Sequence, residues 1–248
     1  MERALRAIEG RRAAGVALYA TEETPADDPL PLPYQTACQL LAWYTYTRLD
    51  RLGVGGGRLG RLAGSIRDAV GRHQVLTGAS PPRYAYATDL AGGTLDYHDA
   101  NDLPMALAPA WGFCEPHDPT WRATMRFAFG PANPGFAPGR HGGLGSLHTP
   151  GSWPLGHVQA WLAGRAAGEA GTVAAAERAL AAAALWDGAL PEASDPRSGR
   201  PRSRPWFAWP GATVATLLLD GFGSPPAGRR AADPGYDRSR RMRRRRRR

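Results

Sequence analysis

Apolar residues recur at intervals of three and four along most of this chain, and that spacing restricts it to a helical architecture. Leu59, Leu62, Ile66 and Val70 fall on one face of a helix. Leu40, Leu41, Tyr44, Thr47 and Arg48 keep the same period over 34–52. Residues 2–18, rich in Ala, Arg and Glu, read as a helix. Residues 119–129 open on Pro119, which suits a first helical turn. Two Ala-rich stretches, 154–167 and 171–187, predict a helical hairpin broken between Gly168 and Gly171. Residues 207–220 complete the pattern with Leu217, Leu218 and Leu219. Long loops separate these helices at 21–33, 76–98, 130–153 and 188–206. Within them Tyr84, Tyr86, Thr94 and Tyr97 suggest a short hairpin over 83–97. The expected fold class is all-α, with paired helices and the function at their connections.

Composition narrows the function. Hydrophobic residues make up 43% of the 248, too many for general disorder. The net charge of +9 lies wholly in the last eleven residues, where nine are Arg and none is acidic. A neutral body without a basic stripe argues against a nucleic-acid partner, so residues 223–248 read as a disordered Arg-rich tail beyond a domain of 1–222. No apolar run approaches the roughly 18 residues of a membrane span, so no membrane partner is expected. Arg11-Arg12 ahead of a short apolar run reads as part of a helix and not as a twin-arginine signal. Cys38 and Cys114 belong to no Cys/His ligand cluster, so no metal or other cofactor is expected; reduced thiols suit a cytoplasmic location.

Four loop segments carry the chemistry. Glu22 to Leu30 contains Asp27-Asp28. Tyr97 to Pro104 contains His98, Asp99, Asn101 and Asp102. Gly142 to Thr149 contains His148 and leads to Trp153-Pro154. Leu190 to Pro196 contains Glu192, with Arg204, Trp206, Phe207 and Trp209 soon after. Aromatic faces stack on pyranose rings, and carboxylates and amides hydrogen-bond their hydroxyls. Glycosidic cleavage needs one carboxylic acid for the leaving oxygen and a second carboxylate for water or direct attack. Two adjacent acids, Asp27 and Asp28, provide a route to a raised pKa. Structural readings stay open beside these. Asp99 and Asn101 could cap the next helix, His148 could pack, and Trp206, Phe207 and Trp209 could be core aromatics. Asp195-Pro196 reads as a turn.

In order and wording these segments resemble glycoside hydrolase family 125, the metal-independent exo-α-1,6-mannosidases. The resemblance is carried by Thr24-Pro25-Ala26-Asp27-Asp28 and by His98-Asp99-Ala100-Asn101-Asp102-Leu103-Pro104. It continues with Arg126-Phe127 before Asn133-Pro134 and Phe136, with His148-Thr149 before Trp153-Pro154, and with Pro191-Glu192-Ala193. It ends with Arg204-Pro205-Trp206-Phe207-Ala208-Trp209. It covers about residues 20–222. Pro191 and Ala193 stand where the family has His and Ser around its base.

The resemblance implies an inverting hydrolase of terminal α-linked mannose acting on a mannose-containing glycan. Asp27 or Asp28 would be the general acid, with a slight preference for Asp27, and Glu192 the general base. His98, Asp99, Asn101, His148, Arg204, Trp206 and Trp209 would surround the sugar. The implied fold is an (α/α)6 toroid of glucoamylase-like type. Such a ring needs more helices than this chain holds, so the chain reads as an incomplete domain lacking N-terminal helices, with activity impaired by that loss. The alternatives are another glucoamylase-like α-glycosidase, a non-catalytic carbohydrate-binding remnant, or nucleic-acid binding through the Arg tail.

Overall fold

The computed structural model describes residues 2–24 and 27–219. Pro25 and Ala26, and the Arg-rich tail expected over 223–248, lie outside the described residues. In chain order the first half runs α1 (Glu2–Glu9), β1 (Tyr34–Gln35), α2 (Thr36–Arg51), α3 (Arg58–His73), β2 (Val75–Leu76), β3 (Arg83–Tyr84), β4 (Ala87–Thr88), β5 (Thr94–Leu95) and α4 (Leu103–Trp111). The second half runs α5 (Pro119–Ala128), β6 (Phe136–Ala137), β7 (Gly143–Leu144), α6 (Pro154–Ala167), α7 (Ala170–Ala181), β8 (Ala193–Ser194), β9 (Pro201–Ser203) and α8 (Ala208–Leu219).

The helices pack as neighbours in sequence: α2 on α3, α6 on α7, with α4 joining α2 to α6 and α8 resting on α6. The main core lies among α2, α3, α4 and α5. Leu40, Trp43 and Tyr46 meet Leu59, Ile66 and Val70, and Met105, Trp121 and Met125 close it. Asp118 caps α5 by accepting the Trp121 amide at 2.8 Å, ahead of Pro119. Gly168, at φ 73°, ends α6 in the left-handed conformation and lets α7 start two residues later.

Three boundaries differ from the sequence reading. The first helix stops at Glu9, and residues 11–20 leave it to pack Leu18 and Tyr19 into the core. Tyr19 and Tyr46 both donate to Glu9 Oε1, at 2.8 and 2.7 Å, a tertiary gain that outweighs local helix propensity. Helix α7 ends at Ala181 instead of 187. Helix α4 went unrecognised because Pro104 and Pro109 lie inside it.

The strands are two or three residues long and pin loops together. Strand β4 pairs antiparallel with both β1 (Tyr34↔Thr88) and β5 (Ala87↔Leu95), so the expected 83–97 hairpin exists as the β4–β5 turn. Strand β3 turns back onto β2 instead. Strands β6 and β7 pair Phe136 with Leu144, and β8 and β9 pair Ala193 with Ser203. A small second core of Ala100, Leu144, Trp153, Leu155 and Ala193 lies where these loops meet. It gathers three of the four chemistry-bearing segments, and the Asp27-Asp28 segment reaches the same place through His148.

Candidate active site

The site forms around the imidazole of His148. Asp28 Oδ2 lies 3.3 Å from Nδ1, and Glu192 Oε1 lies 3.8 Å from Nε2 on the other side of the ring. Residues 164 positions apart in sequence are thus brought to one ring. Asp27 does not share this placement. It is exposed, and its φ of 62° turns the chain so that the next residue's carboxylate faces inward. Asp tolerates this left-handed conformation better than most side chains. The Asp28 amide donates to Thr24 Oγ1 at 3.2 Å and the Thr24 amide to the Asp28 carbonyl at 2.8 Å, which closes the turn.

Glu192 is held by the hairpin that carries it. Its backbone N–H donates to the Arg204 carbonyl at 3.0 Å, in continuity with the β8–β9 pairing. That register brings Ser203 and Arg204 onto its side chain. The Ser203 hydroxyl donates to Oε2 at 2.9 Å, and the Arg204 guanidinium is bonded directly to Oε1. The Glu192 side chain is only 2% exposed, whereas Arg204 is 60% exposed. A carboxylate has about four acceptor sites, so two remain beyond these bonds. Arg204 has φ 35°, a conformation that a non-glycine residue holds at a cost of about 1–3 kcal/mol. The turn of this hairpin is built on Asp195. It accepts the Ser198 amide at 2.7 Å, the Ser198 hydroxyl at 2.9 Å and the Arg197 amide at 3.1 Å. The Ser198 bonds hold its carboxyl below the usual range. Asp195-Pro196 is therefore a turn, as its composition suggested.

His148 is walled and anchored. The edge of Trp153 packs against it at 5.2 Å between centroids. The Trp153 indole N–H donates to the Thr149 carbonyl at 2.9 Å, closing the loop between them. The glycines here permit backbone contact: a Cβ on Gly145 would collide with the Gly151 carbonyl. Ser146 Oγ lies 2.6 Å from His148 Nδ1 and donates to Asp99 Oδ2 at 2.6 Å.

Asp99 is a hub. Oδ2 also accepts the Tyr97 hydroxyl at 2.6 Å, and Oδ1 accepts the Asn101 amide at 2.8 Å. Asp102, not Asp99 or Asn101, stands at the N-cap position of α4, and its side chain makes no capping hydrogen bond there. Burial, and then the nearby Asp99 charge, push the Asp102 carboxyl well above its ordinary range. Gln35 Nε2 donates to it at 3.2 Å.

His98 sits behind this cluster. Its Nε2 is 2.8 Å from Gln159 Oε1, while Gln159 Nε2 donates to the carbonyls of Asp99 at 2.9 Å and Ala100 at 2.7 Å. Burial lowers its pKa, so the ring is neutral at pH 7. Asn133 brackets the His98 backbone, accepting its N–H at 3.1 Å and donating to its carbonyl at 2.9 Å. Asn101 is buried with its Oδ1 lacking a hydrogen-bond partner.

Phe207 joins the aromatic wall, 6.5 Å from Trp153 and 5.1 Å from Trp209. Trp206 and Trp209 are 68% and 44% exposed, so neither is a core aromatic. Trp206 lines an open apolar trough of about 550 Å³ with Leu180, Leu190 and Leu218. Ser203 and Tyr97 complete the site without having been singled out. Ser203 lies on a short strand opposite Ala193, a pairing visible only in register. Among the described residues no group of three or more His, Cys, Asp or Glu could hold a metal ion. Nor is any helix among them long and apolar enough to cross a membrane.

Two carboxylates on either side of one imidazole, beside aromatic and amide side chains, are the residue types that glycosidic cleavage requires. The sequence model of glycoside hydrolase family 125, the metal-independent alpha-mannosidases, matches residues 8–219, and the chain belongs to that family. A solved structure from Streptococcus pneumoniae shares the fold with a TM-score of 0.72 and 24% identity. That protein is described as a metal-independent alpha mannosidase in a non-productive substrate complex with alpha-1,6-mannobiose. The match covers 84% of this chain and 51% of the other, so the chain spans about half the length of that relative. No curated protein sequence matches it.

Proposed function

We propose that this chain hydrolyses terminal α-linked mannose from glycans with inversion, using Asp28 as general acid and Glu192 as general base. The observation that carries the reading is the His148 ring, with one carboxylate on each nitrogen. The two contacts and the width of the ring put the nearest oxygens of the two carboxylates no more than about 9 Å apart, which is compatible with the 6.5–9.5 Å of inverting enzymes. Asp28 is preferred to Asp27 because its carboxylate reaches the cluster. In the proposed reaction Asp28 protonates the glycosidic oxygen as the bond to the anomeric carbon breaks. Glu192 removes a proton from the water that attacks the opposite face.

Asp99, Asn101, Arg204 and Trp209 are proposed to line the sugar site with His148. Trp206 would meet the outer part of a glycan, and His98 would support the floor. Family membership supports the reaction class, and the mannobiose bound by the Streptococcus pneumoniae protein supports an α-linked mannoside as ligand. The helical hairpin α6–α7 and the succession α2, α4, α6 support an (α/α)6 toroid as the parent architecture. The unpaired thiols of Cys38 and Cys114 support a cytoplasmic location.

The test is hydrolysis of an aryl α-mannoside and an α-1,6-mannobiose, with the product anomer followed by NMR. Asp28→Asn and Glu192→Gln should each lose about 10²–10⁴-fold in turnover, and Asp27→Asn less than about fivefold. β-Mannose should appear first. Mannose binding without hydrolysis, unchanged by Glu192→Gln, would instead establish a carbohydrate-binding remnant. Loss confined to Asp27→Asn would overturn the assignment of the acid.

A further inference from the structure

Ser146 stands at the junction of two short hydrogen bonds, and a hydroxyl has only one hydrogen to give. Its Oγ is 2.6 Å from Asp99 Oδ2 and 2.6 Å from His148 Nδ1. Asp99 already accepts the Tyr97 hydroxyl on Oδ2 and the Asn101 amide on Oδ1. A carboxylate supplied in this way is an acceptor, so the Ser146 hydrogen points to it. The Ser146 oxygen can then only accept from His148, and Nδ1 must carry the hydrogen. Asp28 Oδ2, at 3.3 Å from the same nitrogen, is a second and weaker acceptor for it. In the neutral ring this leaves a lone pair on Nε2.

Nε2 faces Glu192 Oε1 across 3.8 Å, too far for a direct hydrogen bond. Two acceptors at that spacing are bridged by a group that donates twice, and water is the smallest such group. Arg204 bonds the same Glu192 Oε1, Ser203 donates to Oε2, and Trp153 makes a T-shaped contact with the imidazole, so both acceptors are fixed in place.

We propose that Ser146, backed by Asp99 and Tyr97, is a positioning residue that locks His148 in the Nδ1–H tautomer. Nε2 and Glu192 then hold the attacking water by its two hydrogens. This rests on the mannosidase reading above. In the reaction the water oxygen bonds to the anomeric carbon, and Glu192 takes one of its hydrogens. The electron pair of the broken bond goes to the glycosidic oxygen, which Asp28 protonates. His148 keeps its own hydrogen throughout and only aims the lone pair of the water.

The test uses long-range ¹H–¹⁵N correlation of the imidazoles in the full chain, with the His148 signals identified by their loss in His148→Gln. At pH 7.5 the wild type should show Nδ1 protonated and Nε2 with a lone pair. Ser146→Ala should move the ring toward the Nε2–H form and lower kcat about 10–100-fold with KM changed less than about twofold. Ser146→Thr should restore both. A wild-type ring protonated on Nε2, or on both nitrogens, at that pH would overturn the proposal. So would a Ser146→Ala protein with unchanged tautomer and kcat. A wild type that hydrolyses no mannoside removes the water-holding role together with the mannosidase reading, while the NMR still decides the tautomer.

Discussion

Substituting Glu192 separates two jobs that its carboxylate could hold: base in the reaction, or structural partner of Arg204. Glu192→Gln keeps the shape and one acceptor oxygen but removes the charge. An ion pair buried at both ends loses about 3–5 kcal/mol when one partner is removed. Fully exposed pairs measure about 0.2–1 kcal/mol. Here Glu192 is 2% exposed and Arg204 60%, so water screens one end only. The expected coupling between Glu192→Gln and Arg204→Ala is therefore about 1–2 kcal/mol in a double-mutant cycle. A loss of that size in a single variant of a chain of this length corresponds to a Tm change of roughly 2–8 °C, small enough for it to stay folded. Urea unfolding at pH 7 gives the stabilities, and turnover of an aryl α-mannoside gives the chemistry. A general base predicts that Glu192→Gln loses about 10²–10⁴-fold in kcat while Arg204→Ala loses about 10–100-fold. If the Glu192→Gln loss matches its unfolded fraction, or does not exceed that of Arg204→Ala, Glu192 is a structural partner and the reasoning fails.

Two further outcomes follow from buried titratable groups. Burial pushes the His157 imidazole down from 6.5 to about 4. The unfolded chain takes up the proton first, so stability is intact above pH 6.5 and falls as pH drops toward 4. The loss is at most about 3 kcal/mol, and less where the ring edge meets solvent. Urea midpoints between pH 4 and 8 should show it, and His157→Gln should flatten the slope; parallel slopes would refute the assignment. Burial, followed by the charges of Asp102 and Asp118 respectively, raises the Cys38 and Cys114 thiols to about 12. Their reaction with a disulfide reagent at pH 8 should be about 1,000-fold slower in the native protein than in denaturant, and equal rates would contradict the burial.

The helices were legible because their cores obey a period. Leu59, Ile66 and Val70 are buried as their spacing requires, and the break at Gly168 appears where two helices must turn. Prolines obscured α4, whose helical state depends on packing against α2 and α6. The helix expected over 2–18 ends at Glu9, where the Glu9 carboxylate accepts the Tyr19 and Tyr46 hydroxyls.

The same division runs through the site. Residue types and their order were enough to suggest the family, which the match over residues 8–219 bears out, and to single out Asp27, Asp28, His148, Glu192 and Arg204 as candidates. Composition and spacing could not choose between adjacent aspartates, because neighbours on an irregular turn point in different directions. That choice came from the left-handed turn at Asp27, which leaves Asp28 facing His148. Nor could they show that Ser203 and Arg204 close on Glu192, a consequence of strand register, or that Ser146 links Asp99 to His148. One-dimensional order records which groups are present; hydrogen-bond direction and distance are properties of their packing in space, and those arise only when the loops are closed against one core.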